Sequence, residues 1–282
     1  MVVGGGPTGC SVGVFTSRYG LDTVVFDRGS AALRRCAFVE NYPGFPGGID
    51  VGTQYDLLRD HAERAGCDRV EDTVERVEER DDGFVVETQD GREVAADYVV
   101  TAAWYDGSYL DPIIGDDPFE AHEHGDEEHE HLDPDYADPD GRTPVDGLYV
   151  AAPAGEWNAQ AIVAAGHGAH VARRLLADHK RDRGFPEGVA PHYDWMRPES
   201  EFAGEWSDRD RWREWFHGEI EEQEVSDERL AELREAYIDR AFDTKLTDEE
   251  VEARSERAHH RLLDHLDDDH IRSYLAEESA AE

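Results

Sequence analysis

The chain has 282 residues, 39% of them apolar, with 67 Asp plus Glu against 28 Lys plus Arg, enough to bury a core in one large domain or two small ones. A formal charge of −39 repels phosphate backbones and anionic headgroups, which excludes nucleic acid and membrane surfaces as expected partners. No apolar run reaches the roughly 18 residues of a bilayer span, and Cys10, Cys36 and Cys67 form no C-x-x-C pair or disulfide framework, so a reducing cytoplasm is the expected setting.

In chain order, residues 2–3 and 22–27 are short β-type runs flanking Pro7 to Arg18, which reads as a helix: a βαβ start. Only three residues precede the first glycine, so the first strand is expected to fall short of the usual five or six or so. Asp50 to Gly66 reads as an amphipathic helix with Tyr55, Leu57, Leu58, His61 and Ala62 facing inward. Strand runs at 72–79, 83–88 and 93–103 are punctuated by Asp81-Asp82-Gly83 and Asp90-Gly91, both good hairpin turns, and predict a meander.

From Asp111 to Thr143 the sequence turns acidic and rich in Pro, Gly and His, which predicts a long solvated connection. Within it His122, His124, His129 and His131 lie among glutamates, but their linear spacing matches no recognised ligand pattern, so solvated imidazoles and no metal are expected. Gly147 to Ala152 reads as a buried strand, followed by an Ala- and Gly-rich helix from about Asn158 to Asp178. Further helices are predicted near 207–223, 226–242 and 247–267, the last opened by a capping box at Thr247-Asp248-Glu249-Glu250. Trp206, Trp212, Trp215 and Phe216 form a cluster too large to leave in water, so they are expected to pack on the preceding domain or on a second subunit.

Gly4-x-Gly6-x-x-Gly9, continued by Pro7 and Thr8, sets glycine where the turn is tight, where backbone approaches a pyrophosphate and where helix packs on strand. The helix that follows offers free N–H groups to phosphates. Asp27, 27 − 9 = 18 residues after the last glycine, stands where a carboxylate accepts from ribose hydroxyls. The motif therefore predicts a dinucleotide.

Val2 to Gly9, the stretch Val39-Glu40-Asn41-Tyr42-Pro43-Gly44-Phe45-Pro46-Gly47-Gly48-Ile49 and the stretch Gln160 to Gly166 together resemble the flavoprotein disulfide reductases, and within them the low-molecular-weight thioredoxin reductases. The resemblance implies FAD as cofactor, with Asn41, Pro43 and Gln160 as contacts beside those of the glycine turn. It implies an α/β, Rossmann-like, three-layer FAD-binding fold with a strand meander, to which this chain adds a C-terminal helical extension. The expected division is a first FAD-binding part at 1–104, an acidic His-rich connection at 105–142 in place of the NADPH domain, a second FAD-binding part at 143–178 and the extension at 179–282.

Departures from the family matter as much. The redox C-x-x-C is absent from the sequence, the usual Gly-Gly-Gln-Leu reads Ser30-Ala31-Ala32-Leu33, and Ala-Thr-Gly reads Ala102-Ala103-Trp104. The family's Gly-Asp reads Pro153-Ala154, with Glu156 nearby as a substitute carboxylate. Without the cysteine pair this polypeptide alone cannot run the dithiol-reducing cycle. The expected function is an FAD-dependent oxidoreductase served by a small-molecule or protein redox partner, with a second copy of the chain in a homodimer among the partners considered; the alternative is a non-catalytic flavin- or dinucleotide-binding sensor or interaction module. No catalytic residue is assigned: Cys36 reads first as a small buried apolar residue, with a reactive thiol beside Arg34 and Arg35 in the loop near the flavin as the alternative, and His167 and His170 read as core or surface side chains before a general acid near the flavin. The acidic excess, with Lys180 and Lys245 the only lysines, is similar to that of proteins from salt-accumulating halophiles, where concentrated ions screen self-repulsion.

Overall fold

The computed structural model describes all residues except 104–106, 116–118, 125–126, 152–159, 193–194, 221–224 and 282, and describes 120–124, 127–131, 134 and 281 by their backbone alone. Trp104, Pro153, Ala154 and Glu156 lie outside the described residues, as does the expected helix start at Asn158. The chain divides into two compact units, Met1–Leu175 and Leu176–Glu282.

The first unit opens with β1 (Val2–Val3), α1 (Pro7–Arg18), β2 (Val24–Phe26), α2 (Val51–Ala65) and β3 (Asp68–Val70). Helix α2 starts where Asp50 accepts the Thr53 N–H at 2.9 Å and stops where Gly66 adopts φ 109°, a conformation glycine enters without a Cβ clash. Its inner face is Gln54, Tyr55 and Ala62, with Leu57 and Leu58 half-buried; His61 is exposed, contrary to the periodicity reading. A meander follows: β4 (Val74–Arg80), β5 (Gly83–Thr88) and β6 (Glu93–Ala96), paired antiparallel. The run at 93–103 is not one strand. It breaks at Asp97-Tyr98, and β7 (Val99–Thr101) leaves the meander to pair in parallel with β1.

With β10 (Leu148–Val150) these strands form a five-stranded parallel sheet in the order β10-β7-β1-β2-β3. Side chains alternate across it, as strand geometry requires. Val2, Val25, Val100 and Tyr149 face a helical layer, where they meet Cys10, Val12 and Val14 of α1 and, from α4 (Ala161–Asp182), Val171, Ala172 and Leu175. Val3, Phe26, Val99 and Leu148 face the meander, meeting Val74, Val77, Phe84 and Val86. Helix layer, parallel sheet and meander are the three layers of a Rossmann-like FAD-binding fold.

The segment expected to be a solvated connection is more ordered than its composition suggests. It holds a 3-10 turn at Ser108–Leu110, α3 (Asp111–Ile114) and a hairpin of β8 (Phe119–His124) and β9 (Glu127–Leu132). Tyr109 and Leu110 are buried in the meander-side core, and the Tyr109 hydroxyl shares a hydrogen bond with that of Thr101. Two well-placed apolar side chains anchor a segment whose average composition is polar.

The second unit contains β11 (Arg197–Pro198), α5 (Arg209–Gly218), α6 (Asp227–Asp243), β12 (Lys245–Leu246), α7 (Asp248–Leu263) and α8 (Asp268–Ala281). Thr247 and Glu250 form the expected capping box on α7. Trp212 and Phe216, with Trp206 and Trp215 at the margin, close a core of this unit's own with Val189, Phe202, Leu230, Tyr237 and Ile238. The aromatic cluster thus has its burial within the extension. Helix α7 buries no residue, and Val251, Leu262, Leu263, Leu266, Tyr274 and Leu275 are exposed.

Candidate functional site

A cavity of about 460 Å3 opens in the first unit, lined by the residues that follow β1, β2 and β7: Gly4 to Thr8, Asp27 and Arg28, and Ala102 and Ala103. Strand order reverses direction at β1, with β2 and β3 on one side and β7 and β10 on the other, and open parallel sheets bind ligands beyond the carboxyl ends of strands at such a point.

Each glycine of the turn meets a different constraint. Gly4 has φ 111°, and a Cβ there would meet the Ala102 carbonyl oxygen at 2.7 Å. A Cβ on Gly5 would lie 2.4 Å from the Asp27 Cβ. At Gly9 it would lie 1.7 Å from the Gly4 oxygen, so this glycine serves the close approach of α1 to the turn and does not line the cavity. Gly6 differs: its nearest neighbour would be the Ala31 Cβ at 3.5 Å, leaving open space on the cavity side. Gly6 is also the N-cap of α1, no side chain caps that end, and Pro7 fills the first turn where its missing N–H is not needed. An uncapped helix N-terminus behind a glycine cradle suits a pyrophosphate, so the residues present fit a dinucleotide.

Asp27 lines the cavity but is itself buried, and its oxygens are engaged by protein groups. Oδ1 accepts from the Gly29 N–H at 2.8 Å and the Tyr55 hydroxyl at 3.0 Å, and Oδ2 accepts from Arg59 Nε at 2.9 Å and a terminal guanidinium nitrogen at 2.7 Å. Arg69 stands 4.0 Å from the same oxygen, and the Arg59 guanidinium stacks 3.9 Å from the Tyr55 ring centroid. Burial, then the Asp27 charge, pushes the Tyr55 hydroxyl up to about 12, so it remains a donor. Tyr55 and Arg59 were invisible to motif reading: their role arises because α2 packs across the end of β2, a tertiary contact.

Asn41 and Gln160, 119 positions apart, meet: the Asn41 side-chain N–H donates to Gln160 Oε1 at 2.5 Å, and both line the cavity. Pro43 is exposed and does not line it. An isolated bridge between Val39 and Ile49, with Leu33 and Tyr55 beneath, holds this loop on a small apolar cluster. Cys36 is exposed on the cavity wall, correcting the expectation of burial: Leu33 is the residue of its turn that reaches the core, and the chain runs extended at Cys36. Cys10 is the buried thiol, pushed up to about 12 chiefly by desolvation. The His167 Nδ1–H donates to the Ala151 carbonyl at 3.2 Å and His170 pairs with Asp140 at 2.8 Å; neither lines the cavity. Among the described residues no helix is long and apolar enough to cross a membrane.

The tryptophan halogenase family matches residues 48–114, from the start of α2 through the meander to α3. A thioredoxin reductase from Aquifex aeolicus is 31% identical over 105 residues, covering 36% of this chain and 32% of that protein. One from Streptomyces coelicolor is 35% identical over 81 residues, covering 28% and 25%. The chain thus spans only a quarter to a third of the length of these curated relatives. Among solved structures, a thioredoxin reductase from Gloeobacter violaceus superposes with a TM-score of 0.51 at 19% identity, covering 70% of this chain and 97% of that one, a likeness of fold. In sequence over a matched stretch of 105 residues and in its fold, the chain is thioredoxin-reductase-like.

Proposed function

We propose that the cavity binds FAD and that the chain is a flavin-dependent oxidoreductase whose electrons come from a separate reductant or a freely diffusing nicotinamide. The observation that carries this reading is the convergence on one cavity of Gly4, Gly6 and Thr8 from the α1 turn with the Asn41–Gln160 pair, all positions the family resemblance marks for the cofactor. The glycine turn and the α1 N-terminus would hold the pyrophosphate. Asn41 and Gln160, already bonded to each other, would present a polar edge to the flavin portion. Bound FAD supplies the redox chemistry, taking electrons from a donor and passing them to an acceptor.

Asp27 acts chiefly through its neighbours in this reading. Its carboxylate fixes Tyr55 and Arg59, and its Cβ packs where a side chain on Gly5 would stand, so the turn keeps its shape. A non-catalytic flavin sensor is the second reading, favoured by the absence of a C-x-x-C pair from the sequence.

Purified protein in concentrated salt is expected to release FAD on denaturation. Anaerobic titration with NADH and NADPH, or photoreduction, followed by an added acceptor, separates the two readings: reduction and reoxidation support the enzyme, and a flavin inert to both supports the sensor. A colourless protein that added FAD does not turn yellow overturns both.

A further inference from the structure

The second unit holds a cavity of its own, of about 400 Å3, a size suited to a small molecule. Its wall comes from short elements: Arg197 opens β11, Glu201 and Trp206 stand in the 3-10 turns that follow, Trp212 and Trp215 lie on α5, and Tyr237 lies on α6. The Trp212 Nε1–H donates to the Trp206 carbonyl at 2.9 Å, so the polar atom of that indole is satisfied and its ring is fixed. Trp206 and Trp215 stand steeply on it, at interplanar angles of 72° and 75° with centroids 5.2 and 6.4 Å away. Steeply inclined walls of this kind surround a compact group. The nearly parallel pair, Trp215 and Tyr237 at 26°, is already in contact at 5.4 Å and leaves no slot for a flat ring.

These rings already attract cations within the protein: the Arg211 guanidinium lies 4.6 Å from the Trp206 ring centroid and that of Arg197 5.9 Å from the Trp212 ring. Trp212 and Tyr237 are buried and Trp206 and Trp215 half-buried, and cation–π attraction strengthens where water is excluded. A quaternary ammonium suits such walls, because it has no N–H group to leave unsatisfied against an indole face. Arg197 and Glu201, one charge of each sign, line the same cavity. A lone cation would meet Arg197 as a like charge, whereas a ligand carrying its own anion turns that guanidinium into a partner. The chain's charge of −39 disfavours a ligand that is net anionic, as a phosphomonoester would make it, so the anion is a carboxylate. We propose that this cavity binds a small zwitterion joining a quaternary ammonium group to a carboxylate, with the ammonium against Trp206, Trp212 and Trp215, Glu201 as its counter-ion and Arg197 on the carboxylate. The site lies within the second unit and does not rest on the flavin reading.

The test is calorimetric titration of the full-length protein, at one fixed ionic strength, with γ-butyrobetaine and three relatives: the primary amine γ-aminobutyrate, the carbon isostere in which tert-butyl replaces trimethylammonium, and butyltrimethylammonium, which lacks the carboxylate. γ-Butyrobetaine is expected to bind one per chain with a dissociation constant at or below about 1 mM. The tert-butyl isostere keeps the shape and loses the charge, and should bind about 5- to 30-fold more weakly. γ-Aminobutyrate should be weaker than γ-butyrobetaine as well, because its N–H groups lose water without gaining partners. Arg197→Gln should lower the affinity for γ-butyrobetaine toward that for butyltrimethylammonium without lowering the latter, a split that misfolding would not produce. Trp206→Leu keeps apolar bulk without the indole face and should erase the preference for trimethylammonium over tert-butyl. Trp195, 73% exposed and not part of the cavity wall, is the control, and Trp195→Leu should leave every affinity within about twofold. Thermal melts show that each variant is folded. Absence of saturable γ-butyrobetaine binding at about 10 mM, equal affinity for the tert-butyl isostere, or equal weakening by Trp195→Leu and Trp206→Leu overturns the site.

Discussion

Replacing Arg59 with methionine is expected to leave one of the most completely bonded charges of the molecule without its main partner. The Asp27 side chain is 2% exposed and that of Arg59 17%, and Arg59 contributes two of the charge-assisted hydrogen bonds to Oδ2. Removing one member of a buried ion pair costs about 3–5 kcal/mol, because the remaining charge stays desolvated. Asp27 keeps the Tyr55 hydroxyl, the Gly29 N–H and Arg69 at 4.0 Å, which sets the expectation at the lower end, about 3 kcal/mol. For a unit of this length each kcal/mol moves the melting temperature by about 2–4 °C, so Arg59→Met should lower it by about 6–12 °C in a circular dichroism melt. The double variant Asp27→Asn/Arg59→Met has no orphaned charge and should recover about 1–2 kcal/mol of the loss. An Arg59→Met protein that melts within about 2 °C of wild type, or a double variant no more stable than the single one, would refute the argument that Asp27 is held by this pair.

The second and third glycines of the motif should separate by function: Gly6→Val fills open cavity space and is expected to abolish FAD binding in a fluorescence titration while leaving the melt within about 2 °C, whereas Gly9→Ala drives a Cβ into the Gly4 carbonyl and should cost about 1–3 kcal/mol of stability. Simultaneous loss of stability in both variants would count against this division. In the second unit, Arg213, bonded to both Glu235 oxygens at 2.9 and 2.8 Å, and then Arg234 hold that carboxyl at about 2, below its ordinary 4.5. A depressed folded value means stability present above about pH 4.5 and lost as pH falls toward about 2; Glu235→Gln should flatten that part of the melt-versus-pH curve, and an unchanged slope would show the pair to be inconsequential.

Much of the architecture was legible in the sequence because its causes are local. A glycine spacing, a helix that begins on its last glycines, turn residues at Asp81-Asp82-Gly83 and Asp90-Gly91, and a Thr-x-x-Glu cap each act within a few residues of chain, and each marks an element that forms where it was expected. What the tertiary structure alone decided depends on partners far apart in sequence. Strand β7 looks like a continuation of the meander until β1 and β10 claim it for the parallel sheet. Asp27 reads as a free ribose acceptor until α2 brings Tyr55 and Arg59 onto its oxygens, and Tyr109 and Leu110 read as part of a polar connection until β4 and β5 bury them. Periodicity and turn chemistry are properties of neighbours along the chain, whereas register, burial and ion pairing belong to neighbours in space, which no window of sequence contains.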